Sequence, residues 1–131
     1  MPNAEPEPQT NSPLLMLLMA AHLGVVILAT AAIAYLWFRS LTSAAATDPL
    51  LWAALMFPGL IGLGRYANGV ECVLQTWAKR LRGVETGWAR DVLWLPESWA
   101  QAIPPVCTPL YLLGAGLAVG RLLEQAASAQ G

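Results

Sequence analysis

His22 is the single histidine of this 131-residue chain, and it lies within a long apolar run near the N-terminus. One imidazole in such a segment could be an axial ligand to haem iron or to the magnesium of a (bacterio)chlorophyll, or it could contact a quinone or a lipid. A six-coordinate b-type haem would then need a methionine or a partner subunit as its second ligand. The interpretation we favour is a neutral His22 that hydrogen-bonds a group on a neighbouring helix.

A polar cluster follows the second apolar run and consists of Arg65, Asn68, Glu71 and Gln75. Spacings of three residues between the first two and of four between the last two would place each pair on one face of a helix. In a transporter, such groups could bind an ion or relay protons. We favour the alternative, in which they meet lipid headgroups and water at the end of a membrane span.

The cysteines carry no recognisable chemistry. Cys72 and Cys107 lack a CxxC spacing, and we predict packed thiols rather than a disulfide. The sequence has no phosphate-cradling glycine loop, no HExxH or GxSxG motif and no cluster of ligands at metal-binding spacing. The sequence therefore supports neither an enzyme nor a metal site.

Composition points to a membrane protein. Apolar residues make up 56% of the chain and charged residues 11%, whereas soluble domains carry roughly a quarter of charged residues. The net charge of −1 gives no reason to expect a nucleic-acid partner. Three apolar runs are long enough to cross a bilayer, and they predict transmembrane helices at about 14–38, 50–70 and 105–123.

The predicted fold is therefore all-α, with one polytopic transmembrane domain over residues 14–123. It lies between polar tails at 1–13 and 124–131, and we expect the N-terminal tail to be disordered. Asp48 before Pro49 predicts the start of the second helix, since aspartate caps helices and proline is tolerated in the first turn.

Segment 66–103 is predicted to lie at the membrane surface, between the second and third spans. Its apolar periodicity predicts an amphipathic helix over Tyr66–Arg82 that ends at Gly83; one long tilted helix is the alternative. Pro104 and Pro105 are expected to end a short helical turn after it. Basic and aromatic residues predicted to lie at the lipid interface are Trp37, Trp77, Trp88, Trp94, Trp99, Lys79, Arg80 and Arg82.

Small residues in the second and third spans predict faces that another helix can approach closely. Gly116 and Gly120 form a literal GxxxG motif. The predicted helix-packing residues are Gly59, Gly62, Gly114, Gly116, Ala118 and Gly120.

Basic residues predict the orientation. Five flank the link between the second and third spans and two lie on the other side, which favours a cytoplasmic position for that link in a bacterial inner membrane. The N-terminus would then be cytoplasmic and the C-terminus outside.

A stretch after the second span resembles a family of short bacterial multi-span inner-membrane proteins of unknown function. The resemblance covers Gly69–Gly83 and the histidine of the first span, and it rests on Cys72 followed by Leu74 and a basic stretch. The family typically has Cys-Pro-Leu-Thr here, and this chain has Val73 for the proline and Gln75 for the threonine. The resemblance implies a membrane protein and no assigned activity.

Three functions follow as hypotheses. The first is a small accessory subunit of a larger respiratory or photosynthetic membrane complex, which packs through its glycine-lined faces against other subunits or itself. The second is a haem-, (bacterio)chlorophyll- or quinone-binding protein that uses His22. The third is a small homo-oligomeric transporter that works through Arg65 and Glu71.

Overall fold

A computed structural model describes residues 13–69, 71–82 and 97–131. The helices in this part of the chain are α1 (Pro13–Thr42), α2 (Pro49–Ala67), α3 (Val73–Arg82) and α4 (Glu97–Gln130). Every regular element in the described ranges is an α-helix, which confirms the predicted all-α class.

Three helices of the described chain are long and apolar enough to cross a membrane. They are Pro13–Thr42, Pro49–Ala67 and, within α4, Ala102–Gln130. This agrees with the number of spans that the apolar runs predict. The predicted start of α2 is also confirmed, because the Asp48 side chain accepts a hydrogen bond of 3.0 Å from the Leu50 N–H and Pro49 begins the helix.

The third long helix is longer than predicted. The expectation that Pro104 and Pro105 end a short helical turn is wrong, because α4 begins at Glu97 and continues through both residues and through Pro109. Proline removes one backbone donor but has a φ compatible with a helix.

The predicted amphipathic helix over Tyr66–Arg82 is wrong in its first part, and so is the alternative of one long helix. Helix α2 ends at Ala67, where the backbone N–H of Asn68 bonds to the carbonyls of Gly64 and Arg65. Gly69 follows with a φ of 70°, a left-handed conformation that glycine adopts readily. The chain therefore turns here, and a separate ten-residue helix begins at Val73.

Helix α1 lies at the centre of the arrangement, since it packs against α2, α3 and α4. It is joined to α2 by a short link, residues 43–48, and we call this the link end of the molecule. The other end, where residues 68–72 connect α2 to α3, we call the turn end. Helix α4 runs in the same direction as α1, because Trp37 bonds to Leu110 and, further along both helices, Ser40 bonds to Gly114.

Two groups of buried apolar side chains hold the helices together. The link-end cluster joins α1, the link, α2 and α4 through Leu36, Ala44, Leu51, Ala54, Leu55 and Ala118. The smaller turn-end cluster joins the first turns of α1 to α3 through Leu15, Leu18 and Ala78. The core of the described chain therefore lies mainly near the link end.

Candidate functional site

His22 and Arg65 come near each other at the turn end. His22 is half-buried on α1, and Arg65 is half-buried in the last turn of α2. The guanidinium charge is close enough to act on the imidazole. Antiparallel packing of α1 and α2 therefore brings together two residues that the sequence singled out separately.

The turn itself is a network of local hydrogen bonds, formed by Asn68, Glu71, Thr76 and Lys79, which we call the polar turn. The Asn68 side-chain amide donates to the Glu71 carbonyl at 3.1 Å and to the Thr76 hydroxyl at 2.8 Å. Glu71 forms an ion pair with Lys79. The network therefore fixes how α3 leaves the end of α2.

Of the two predicted face-sharing pairs, Glu71 and Gln75 do not lie on one helix, because Glu71 precedes the start of α3 at Val73. The turn at Gly69 separates Asn68 from the helix that carries Gln75, and Gln75 is half-buried on α3. Asn68 bonds to Thr76, and Glu71 bonds to Lys79. The regular helical spacing did not predict either contact. The signal that could have revealed this is the Asn68-Gly69 pair, a common way to end a helix and turn the chain.

At the link end, the Asp48 carboxylate contacts three donor groups. It accepts hydrogen bonds from the Tyr35 hydroxyl at 2.8 Å and from the Leu50 N–H, and it pairs with Arg39 at 2.9 Å. We call Tyr35, Arg39 and Asp48 the link site. The Tyr35 hydrogen bond, the backbone N–H groups that start α2 and the Arg39 charge hold the pKa of Asp48 below its ordinary value.

The link site joins the last turns of α1 to the first turn of α2. Of these three residues, the sequence singles out only Asp48, as the cap of the second helix. Charge could have indicated the ion pair, because Arg39 and Asp48 flank a link that otherwise holds small and apolar residues and hydroxyls. The contacts of the link site are suited to holding α1 and α2 in register.

Helix α4 is tied to the same end by polar contacts to backbone carbonyls. Trp37 donates its indole N–H to the Leu110 carbonyl at 2.9 Å, and the Ser40 hydroxyl lies 3.3 Å from the Gly114 carbonyl. Gln125 donates to the Ala44 carbonyl in the link. Trp37, predicted to lie at the lipid interface, is therefore also a contact between helices.

The predicted helix-packing residues divide into two groups. At Gly59, a Cβ would lie 2.7 Å from the Tyr111 hydroxyl, and at Gly114 it would lie 3.0 Å from Trp37 Nε1. Ala118 is fully buried. By contrast, a Cβ at any residue of the second group would meet no atom within 4 Å; these residues are Gly62, Gly116 and Gly120.

Helix α4 therefore carries two small-residue faces, and only one of them is covered by another helix of the described chain. Residues two apart on a helix are about 200° apart around its axis, so Gly114 and Gly116 point to opposite sides. The side with Gly114 and Ala118 packs against α1. The side with Gly116 and Gly120, which we call the open glycine face, borders open space within this chain.

The remaining predicted interface residues are distributed as follows. Trp77 is 57% exposed on α3, Arg80 is exposed, and Lys79 is half-buried. The Arg82 side chain lies outside the described part of the chain. Trp88 and Trp94 lie outside the described residues, as do Gly83, the N-terminal tail and the Trp99 side chain. Both cysteines are free thiols and half-buried.

The fold defines an α-helical protein with three helices suited to crossing a membrane. Within the described ranges, no group of three or more His, Cys, Asp and Glu side chains is placed to hold a metal ion. Neither protein-family models nor curated proteins nor solved structures yield a significant match to the chain. The resemblance of Gly69–Gly83 to a family of bacterial membrane proteins stays a prediction.

Proposed function

We propose that this chain is a multi-pass membrane protein that acts as a small helical subunit of a larger integral-membrane assembly. Its partners would be other membrane helices, from different subunits or from further copies of the chain. The open glycine face of α4 is the observation that carries the proposal.

Placement in a bilayer is supported by the apolar surface that the helices leave uncovered. In the most apolar stretches of α1, α2 and α4, only 6%, 22% and 11% of the residues are buried. Exposed side chains along these helices include Leu17, Leu28, Met56, Leu63 and Leu112. Contact with lipid tails, or with other helices in lipid, is the environment that suits such surfaces.

A subunit role is supported by the contrast between the two faces of α4. Between helices in lipid, close backbone approach supplies the van der Waals contact that the hydrophobic effect supplies in water. The chain uses one small-residue face in this way, at Gly114 and Ala118 against α1. The open glycine face offers the same kind of surface to a helix from outside the chain.

The alternatives receive less support from the contacts. Glu71, one of the two residues named for a transporter, is paired with Lys79 in the polar turn. A six-coordinate haem at His22, the single histidine of the chain, would need its second ligand from another residue type or from a partner. The haem, chlorophyll, quinone and transport hypotheses therefore stay as expectations from the sequence.

The test is substitution of the open glycine face in the full chain. Membranes that contain the protein are washed with alkaline carbonate, then extracted in mild detergent, and the mass of the extracted species is measured by light scattering. We expect the wild type to resist the wash and to elute as a species heavier than the monomer. Gly116→Leu should shift it towards the monomer, because a leucine side chain blocks close approach of a helix.

Gly24→Leu is the matched control. It adds the same side chain to α1, at a glycine whose Cβ would also meet no atom within 4 Å. The control should elute like the wild type. A wild-type protein that elutes only as a monomer, or a Gly116→Leu variant as heavy as the wild type, would contradict the subunit role; loss in the carbonate wash would contradict the membrane placement.

A further inference from the structure

We propose that α3 binds anionic phospholipids of the adjacent leaflet, with Arg80 at the headgroup phosphates and an apolar stripe among the upper acyl chains. This rests on the membrane placement proposed above but is independent of the subunit role. It assigns a class of lipid to a helix that the sequence predicts only to lie at the lipid interface.

The lengths of the helices place α3 at the edge of the hydrocarbon layer. Helix α2 has 19 residues, which at 1.5 Å per residue is about 28 Å, close to the roughly 30 Å of a hydrocarbon core. The end of α2 at Ala67 therefore marks one boundary. Helix α3 begins just beyond it and packs on Leu15 and Leu18, in the first turns of α1.

Packing on α1 uses only one side of α3. Ala78 is fully buried there, and Leu74 packs beside it. An adjacent stripe at i, i+4 and i+8 stays uncovered: the exposed fractions are 48% for Val73, 57% for Trp77 and 45% for Leu81. An apolar stripe that includes a tryptophan, at the edge of the hydrocarbon layer, is suited to the region between headgroups and tails.

The positive charges of α3 have different roles. Lys79 is half-buried and forms an ion pair with Glu71, so its charge is already neutralised within the polar turn. Arg80 is exposed in the last turn. Arg80 follows Trp77 by three residues, which places its guanidinium beside the apolar stripe.

This combination selects an anionic phospholipid. A guanidinium donates two parallel hydrogen bonds to a phosphate, and its charge is attracted to a leaflet with net negative charge. The apolar stripe adds contacts that only a lipid with acyl chains can make. A soluble phosphate compound would satisfy Arg80 but would leave Val73, Trp77 and Leu81 uncovered.

The experiment is lipid titration of the purified full chain in detergent, read by native mass spectrometry. Phosphatidylglycerol and phosphatidylcholine with identical acyl chains are the probes. We expect the wild type to retain phosphatidylglycerol more strongly. Arg80→Gln should weaken that retention about fivefold, the effect of one basic residue at an anionic surface, and should leave phosphatidylcholine unchanged.

Arg121→Gln is the matched control, because Arg121 is also exposed but lies on the part of α4 near the link end. It should retain both lipids like the wild type, and Arg80→Lys should keep most of the selectivity. Equal retention of the two lipids by the wild type would overturn the proposal without any variant. So would equal losses in Arg80→Gln and Arg121→Gln.

Free glycerol phosphate, added at the same phosphate concentration, distinguishes a lipid site from a site for soluble anions. We expect it to displace no phosphatidylglycerol, and displacement would overturn the lipid assignment. A monomeric protein that retains phosphatidylglycerol selectively would contradict only the subunit role. A protein found outside the membrane fraction would contradict both proposals.

Discussion

The link end and the turn end of this molecule are held by different kinds of contact. At the link end, polar side chains reach across helices that are distant in the sequence, as in Trp37 to Leu110 and Gln125 to Ala44. At the turn end, the hydrogen bonds of the polar turn join residues at most eight apart, as in Asn68 to Thr76. The hydrogen bonds of the link end therefore join helices that are distant in the sequence, and those of the polar turn fix where α3 lies.

The apolar contacts follow the same division. Leu36 is fully buried in a cluster to which α1, α2 and α4 all contribute, whereas Leu15 is buried between α1 and α3. A loss of packing at the link end should affect the whole bundle. A loss at the turn end should affect mainly the attachment of α3.

The largest effect we expect comes from Leu36→Ala. Removing a fully buried leucine should lower the free energy of unfolding by about 2 to 5 kcal/mol, because three helices lose contacts at once. Leu15→Ala should cost less, since two helices meet at its cluster. The measurement is unfolding of the full chain by denaturing detergent, followed by circular dichroism.

Leu28→Ala is the control for this pair, because Leu28 lies on the same helix and is 60% exposed. It should leave the unfolding free energy close to that of the wild type. Equal losses in Leu36→Ala and Leu15→Ala would show that the two ends contribute alike, contrary to the division proposed here.

A smaller effect is expected from Gly69→Ala at the turn end. With a φ of 70° and no atom within 4 Å of an added Cβ, the cost should be conformational alone, about 1 kcal/mol. Hydrogen exchange should show faster opening of α3 amides by about fivefold. Amides near Leu36 should keep their protection.

Gly64→Ala provides the control, because Gly64 is helical and its Cβ would also lie in open space. Alanine favours a helix more than glycine does, so this variant should lose no protection. Faster exchange throughout the bundle in Gly69→Ala would show that the turn end supports the whole fold.

The difference between the two ends also explains which features could be predicted from the sequence. The three long helices follow from apolar runs, and the start of α2 follows from Asp48 and Pro49, because each signal is local. The end of α2 is not predicted from the sequence, although its signal, Asn68-Gly69, is local too. The apolar periodicity of Tyr66–Arg82 continues across Asn68-Gly69, and the conformation of the turn outweighs it.

Contacts between helices depend on more than one segment. Gly114 and Gly116 belong to equivalent small-residue pairs in the sequence, and only the rotation of α4 against α1 decides which of them is covered. The bond from Tyr35 to Asp48 likewise requires α1 and α2 to be in register. The candidate sites were therefore predictable as residue types, whereas their grouping depended on packing.

The smallest effect we expect comes from Tyr111→Phe, which removes one hydrogen bond between helices. The Tyr111 hydroxyl donates to the Leu55 carbonyl, and the phenol oxygen lies against Gly59. Hydrogen bonds between helices in membrane proteins contribute about 0.6 kcal/mol on average, and we expect a loss of that size. The detergent unfolding assay used for Leu36→Ala measures it.

Tyr66→Phe is the matched control, since Tyr66 is 83% exposed near the end of α2 and loses the same hydroxyl. It should change the unfolding free energy less than Tyr111→Phe does. If the two variants change the unfolding free energy equally, the hydrogen bond from Tyr111 to Leu55 contributes no net stability. Contacts of α4 with α1, rather than with α2, would then hold α4 in place, in keeping with the central position of α1.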